Sequence, residues 1–292
     1  MALEFELMPV IHRMARQALV KRGARARMVE AHGHEMHLVD LPGRGSGPPV
    51  VLLHGLGSSG LTFSRIILPL ARYSRRVLAA DLPGAGFSPQ PAQPLSLEET
   101  TRTLVALYER ELNGEPAVWF GNSLGGAMAT MIASERPDLV KGLALSSPAG
   151  ARVAPERFSA LLQSFKISKW NEGRELLKRL YHRAPPLVPE LMGFDMVKLF
   201  GRPIVHGYLN DSRTNTFIEE ERLQKLRMPI LLLWGKGEKL LPYEMIDYFR
   251  AHLPAHAEIE EVEGYGHVPH LEAHQHLAER IGNFVARLAP PQ

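Results

Sequence analysis

The residue whose setting most suggests chemistry is Ser123, in Gly121-Asn122-Ser123-Leu124-Gly125. This Gly-x-Ser-x-Gly run follows the apolar stretch Ala117 to Phe120 and precedes a stretch of small residues. A strand that turns sharply into a helix needs glycine where side chains would clash, and the turn lifts the serine hydroxyl above the sheet at a helix N-terminus. The alternative is a glycine-rich turn that holds phosphate. It is disfavoured because neither Gly-x-Gly-x-x-Gly nor a phosphate-loop Gly-Lys-Ser/Thr is present. A serine hydroxyl is a weak nucleophile until a base takes its proton, and the chain has 13 histidines to choose from. His270 and His274 have the helical spacing of a metal pair. No third ligand accompanies them, so they read as exposed or capping side chains. The same reading applies to His32, His34 and His37, on a turn and an edge strand.

Such a serine must be held by a sheet, and the pattern after Gly33 supplies one. Short apolar runs at 34–41, 50–53, 77–80, 117–120, 142–145, 230–233 and 257–262 are separated by glycine, proline and helical stretches at 97–112, 124–135, 243–252 and 270–288. This alternation is the mark of βαβ units. The expected fold is α/β, a mostly parallel central sheet flanked by helices, and most strands are apolar enough to be buried on both faces. Between 150 and 215 the spacing breaks down, and some sixty residues separate two strands that a simple crossover would join with far fewer. They read as an inserted helical cap rich in large apolar residues, among them Phe165, Trp170, Leu177, Met192, Phe194 and Phe200. The expected organisation is a core of residues 1–149 and 216–292, a cap of 150–215, and a helical extension over 1–28.

Composition bounds the rest. A chain of 292 residues with 45% hydrophobic and 22% charged content can bury a substantial core. The formal charge of +3 is too small and scattered to imply nucleic acid. The absence of cysteine excludes disulfides, thiolate metal sites and a thiol nucleophile. Glu4, Glu6, Pro9, His12 and Arg13 interrupt any secretory-type apolar stretch, and the expectation is a soluble, cytoplasmic protein. From Pro9 to Arg22, however, Val10, Ile11, Met14, Ala18 and Leu19 share one helical face, while Arg13, Arg16, Gln17 and Lys21 fall mostly on the other. That pattern suits a helix packed on the core or cap, or a basic helix lying on a membrane surface.

From about residue 30 to 288 the chain resembles the α/β-hydrolase family. His54-Gly55-Leu56-Gly57 follows the second strand, where that family carries its oxyanion loop, and Asp81-Leu82-Pro83-Gly84-Ala85-Gly86-Phe87-Ser88 resembles its Asp-x-Pro-Gly-x-Gly-x-Ser turn. Gly266-His267 with Glu272 resembles its Gly-His-x-x-x-x-Glu loop, and Trp234-Gly235-Lys236-Gly237-Glu238 with Pro242 resembles Trp-Gly-x-x-Asp-x-x-x-Pro. The resemblance implies Ser123 as nucleophile, His267 as general base, Glu238 as the orienting acid in place of aspartate, and the backbone N–H groups of Leu56 and Leu124 as oxyanion donors. It implies no cofactor and no metal. His54 is expected to brace its turn. Should Glu238 lie elsewhere, Glu261 and Glu263 are the next carboxylates.

These residues imply hydrolysis of a small-molecule ester through an acyl-enzyme, with apolar acyl groups favoured by the cap. A carbon–carbon bond hydrolase of ring-cleavage products is the nearest enzymatic alternative. Its oxyanion loop usually reads Gly-x-Gly-Pro-Gly, unlike Gly55-Leu56-Gly57-Ser58-Ser59. A ligand-binding receptor on the same scaffold would keep the triad without turnover on esters. A peripheral membrane lipase would use the N-terminal helix.

Overall fold

The computed structural model describes residues 6–210 and 217–290. The chain opens with α1 (Met8–Val20), β1 (Arg25–Ala31), β2 (His34–Pro42), β3 (Val50–Leu53), α2 (Ser64–Leu70) and β4 (Arg76–Ala80). It continues through α3 (Leu97–Glu111), β5 (Ala117–Asn122), α4 (Leu124–Glu135) and β6 (Val140–Ser146). Then come α5 (Pro155–Gln163), α6 (Trp170–Leu180), α7 (Val188–Phe200), α8 (Pro203–Asn210) and α9 (Glu220–Gln224). The last elements are β7 (Ile230–Gly235), α10 (Glu244–His252), β8 (Glu258–Val262), α11 (Pro269–Glu272) and α12 (His274–Arg287).

The eight strands form one sheet in the order β1-β2-β4-β3-β5-β6-β7-β8. β1, β2 and β4 pair antiparallel and every other pair is parallel. Every residue of β3, β5 and β7 is buried, because helices cover both faces. Val50, Leu52, Val118, Phe120 and Leu233 point to one face, against α2 and α12; Val51, Leu53, Trp119 and Leu232 point to the other, against α3, α4 and α10.

Three features differ from the sequence expectations. β1 begins within the segment 1–28 read as a helical extension and runs on to Ala31, and α2 was not anticipated. The helix expected over 270–288 is broken at Ala273, and Glu272, at the end of the short α11, reaches back to the loop before it.

The inserted helices leave and return at one point, where Ile218 N donates to Gly150 O at 2.8 Å. The expected boundary at 215–216 lies outside the described residues. α6 and α7 cross closely: a Cβ on Gly173 would stand 2.2 Å from Gly193 O. Leu176, Leu177, Met192, Met196 and Phe200 make a small core of their own that continues into Leu240 and Leu56 of the sheet-edge loops.

α1 joins the two parts. It packs through His12, Leu19 and Arg16, whose guanidinium donates to Ala26 O at 3.0 Å and to His37 Nε2 at 3.3 Å. The apolar face read from the sequence is therefore largely turned out, with Val10, Ile11 and Met14 exposed. No helix among the described residues is long and apolar enough to cross a membrane.

The first turn of α1 has no acidic residue and no side-chain cap of its own. Buried Asp195 of α7 takes that role, accepting from Leu7 N at 3.2 Å and Met8 N at 2.8 Å. It satisfies two orphan donors and faces the positive end of the helix. Asp195→Ala should lower unfolding free energy by about 1–3 kcal/mol and speed proteolysis within the first 24 residues, read by urea denaturation and limited trypsin digestion. Unchanged values would show that α1 is held by its other contacts.

Candidate active site

Ser123 sits between β5 and α4 with φ 56° and ψ −121°, a strained backbone for a residue with a side chain. The strain is enforced from both sides. A Cβ on Gly121 would stand 2.3 Å from Gly125 O, and one on Gly125 would stand 2.1 Å from Leu53 O. The turn can be this tight only because the residues two positions away on either side, Gly121 and Gly125, are glycine. Ser123 N donates to Ser146 O at 3.2 Å, and Ser123 O accepts from Gly126 N, Ala127 N and Ala149 N.

The residue between the first glycine and the serine matters as well. The buried Asn122 amide donates to Ser146 O at 3.1 Å and to His267 O at 2.9 Å, tying β6 and the histidine loop to the serine turn. His267 N donates to Leu180 O at 2.9 Å, so the same loop is also fastened to the end of α6. Glu272 completes the support, accepting from Gly266 N at 2.7 Å and His182 N at 2.8 Å.

His267 Nδ1 lies 2.8 Å from Glu238 Oε2, and the two side chains are 4% and 3% exposed. The other carboxylate oxygen, Oε1, accepts from Leu240 N at 2.7 Å and Leu241 N at 3.1 Å. Burial opposes the charge on Glu238, but the His267 imidazole and those two amides outweigh it and hold the carboxyl below its ordinary pKa. In the neutral tautomer that donates Nδ1–H to this carboxylate, the ring carries its lone pair at Nε2. Ser123 and His267 line the same cavity. The extra methylene of glutamate is taken up by the turn at 238–241, which curls around the carboxylate. Glu261 and Glu263 lie elsewhere, near Arg250 at 2.8 Å and Lys236 at 2.8 Å respectively.

The loop after β3 faces the serine turn. A Cβ on Gly55 would stand 3.1 Å from Ser123 Cβ. The N–H groups of Leu56 and Leu124 have no acceptor among the described residues. His54 Nδ1 lies 2.9 Å from Gly55 O, and Nε2 accepts from Leu82 N at 3.0 Å, so this buried ring is neutral and braces the turn. Its pKa is lowered, burial outweighing Asp81 and Gly55 O.

Asp81, read from the sequence only as part of a turn, is the fixed point beneath this loop. Its Oδ1 accepts from Ser59 Oγ and Gly60 N, both at 2.7 Å. Oδ2 accepts from Phe87 N at 2.8 Å and lies 3.0 Å from His37 Nδ1. His37, expected to be exposed or capping, is thus buried as a partner of Asp81. His270 is buried too, its ring 4.8 Å from that of Phe63, and burial together with His267 and His54 pushes its pKa down to about 3. Among the described residues no cluster of side chains could hold a metal ion.

The cavity has a volume of about 320 Å³ and is mainly apolar, lined by Phe165 before α6, Leu177 of α6 and Met192, Met196 and Phe200 of α7 together with Ser123 and His267. Phe165 and Phe200 stack with ring centres 5.6 Å apart. Met8, Ile11 and His12 of α1 complete the wall.

A sequence model of the alpha/beta hydrolase family matches residues 50–280. Lipase 1 of Psychrobacter immobilis is 28% identical over 253 residues, spanning 84% of this chain and 78% of that lipase. The uncharacterized hydrolase YugF of Bacillus subtilis is 26% identical over 255 residues, 84% of this chain and 91% of YugF. The crystal structure of a membrane phospholipase A, a bacterial virulence factor, shares the fold with a TM-score of 0.81 at 24% identity, over 97% of this chain and 93% of that one.

Removal of the Asn122 amide takes the donor from the buried His267 carbonyl and leaves Ser146 O with the Ser123 N–H alone. Asn122→Ala should therefore destabilise the protein by about 1–3 kcal/mol in urea titration. Asn122→Asp should cost more, because a carboxylate would face both carbonyl oxygens. Equal stability of all three proteins would remove this tie from the account.

Proposed function

The chain belongs to the α/β-hydrolase family, and on that premise we propose that it cleaves carboxylic esters with Ser123 as nucleophile, His267 as base and Glu238 as orienting acid. One observation carries this reading: a buried Glu238–His267 pair opens onto the cavity that Ser123 also lines. Ser123 Oγ would attack the ester carbonyl carbon as its proton passes to His267 Nε2. The Leu56 and Leu124 N–H groups would stabilise the oxyanion. Collapse of the intermediate breaks the carbon–oxygen bond, and the leaving alcohol takes the proton from Nε2. Water, deprotonated by the same nitrogen, then releases the acid and restores the serine.

The acyl preference is read from the cavity wall, with residues 150–215 acting as a cap. Of the cap aromatics Phe165, Trp170 and Phe194, only Phe165 lines the cavity; Trp170 packs on Gly193 instead. An apolar acyl chain buried there gains about 0.8 kcal/mol per methylene. The small-molecule ester is the partner this wall suits.

Peripheral membrane contact is a further part of the proposal. Ile11 lines the cavity and, with Val10 and Met14, faces outward from α1. Leu187 and Leu191, 69% and 58% exposed, flank the cavity-lining Val188 and Met192. Exposed apolar residues of this kind, with the basic side chains Arg13, Lys21 and Arg22, suit the surface of an anionic bilayer.

Two experiments test these readings. On p-nitrophenyl esters of graded chain length, Ser123→Ala should abolish turnover and His267→Ala should lower kcat by about 10³-fold or more, whereas His274→Ala should change little. Phe165→Ala should move the optimum towards longer or bulkier acyl groups. Activity retained in Ser123→Ala, or an unmoved optimum, would contradict the corresponding assignment. In co-sedimentation, phosphatidylglycerol vesicles should retain the native protein and release Met14→Asp. Failure of the native protein to sediment would remove the membrane from the proposal.

A further inference from the structure

The cavity wall is mainly apolar, and among the polar groups in it that the proposed mechanism does not use is His12. His12 of α1 is 7% exposed, and its buried Nε2 has no hydrogen-bond partner among the described residues. Leaving a buried polar atom unpaired costs about 1–3 kcal/mol, so such an atom on a residue that lines a cavity calls for a partner. Burial holds the ring below its ordinary pKa, against the pull of Asp81, and at neutral pH the imidazole offers one donor and one acceptor.

His12 also stands at a junction. It and Ser58 line both the main cavity and a smaller adjoining one of about 60 Å³. Thr62 Oγ1 donates its proton to Ser59 O at 2.7 Å. Its 3.3 Å contact with Ser58 Oγ therefore uses the Ser58 proton and leaves the Ser58 oxygen as an acceptor. The ionic groups around the smaller cavity balance: Lys198 pairs with Glu6 at 2.7 Å, Asp195 accepts from the α1 amides, and Arg202 donates to Gly84 O at 3.2 Å. An anion there would meet two carboxylates and a cation would meet Arg202. An uncharged group that can both donate and accept matches the site, and a hydroxyl is the simplest.

We propose that His12, with Ser58, binds a hydroxyl group carried by the ester substrate, so that the enzyme selects hydroxylated esters over purely hydrocarbon ones. The inference rests on the ester-hydrolase reading of Ser123. It makes the N-terminal helix a specificity element of the active site.

The test uses the full chain and two matched ester pairs. 2-Hydroxyethyl hexanoate is compared with propyl hexanoate, and ethyl 3-hydroxyhexanoate with ethyl hexanoate, placing the hydroxyl on the alcohol and acyl sides in turn. In at least one pair the hydroxylated ester should have a kcat/KM about 10-fold higher, with the difference mainly in KM. His12→Leu should bring that ratio close to one, and His12→Gln, which keeps a donor and an acceptor, should retain part of it. Should His12→Leu fail to fold, Ser58→Ala serves as the second variant and should lower the same ratio. Ratios near one in the native enzyme for both pairs, a preference that survives in His12→Leu, or, where that variant does not fold, one that survives undiminished in Ser58→Ala, would overturn the inference. Turnover that persists in Ser123→Ala would instead overturn the reading beneath it.

Discussion

A carboxylate that is 3% exposed, as Glu238 is, has lost nearly all its water, and the effective penalty for burying such an ion is several kcal/mol. It keeps its charge only where donors converge on it, and here they come from three directions: the His267 ring, the Leu240 amide and the Leu241 amide. Those donors belong to the loops after β7 and β8, so satisfying one charge fixes two loops against each other. The histidine loop is fixed in turn by Asn122, Leu180 and Glu272. The serine turn, the carboxylate turn and the end of α6 are thereby held in one frame.

The close approaches follow from the same demand. A Cβ on Gly266 would stand 2.2 Å from His182 N, so the residue before His267 has no room for a side chain where the segment after α6 crosses it. On the other side of the cavity the buried Asp81 plays a comparable part, holding Ser59, Gly60, Phe87 and His37 at once. Burial opposes its charge, and His37 leads the contacts that lower its pKa nonetheless. Two buried carboxylates thus organise the two walls between which Ser123 stands, one beneath the loop carrying Leu56 and one behind His267.

Much of this was legible in the sequence where burial is simple and local. The apolar runs of β3, β5 and β7 declare themselves because both faces of each strand are covered. β1 did not, since it is an edge strand in which only Val29 and Ala31 are buried and Arg27 pairs with Glu111. The serine turn was visible in its glycines, which sit only two residues from the one they serve. Asn122 was not, because its acceptors lie 24 and 145 residues away and are backbone carbonyls. His37 and His270 were misread for a related reason: whether an imidazole is buried depends on Asp81 and Phe63, which the chain brings to them only in the fold. The packed face of α1 was likewise decided by distant partners, with Arg16 reaching His37 and Asp195 capping the helix from α7.

The central claim is that the Glu238–His267 pair makes the Ser123 hydroxyl reactive, and the rate of fluorophosphonate labelling measures this most directly. Native protein and Glu238→Gln would be labelled in parallel at neutral pH, with the modified peptide identified by mass spectrometry. An amide at position 238 selects the wrong imidazole tautomer, so Ser123 should be the labelled residue in the native protein, and its labelling should slow by about 10²–10⁴-fold in the variant. Labelling of another serine, or an unchanged rate in Glu238→Gln, would contradict the account.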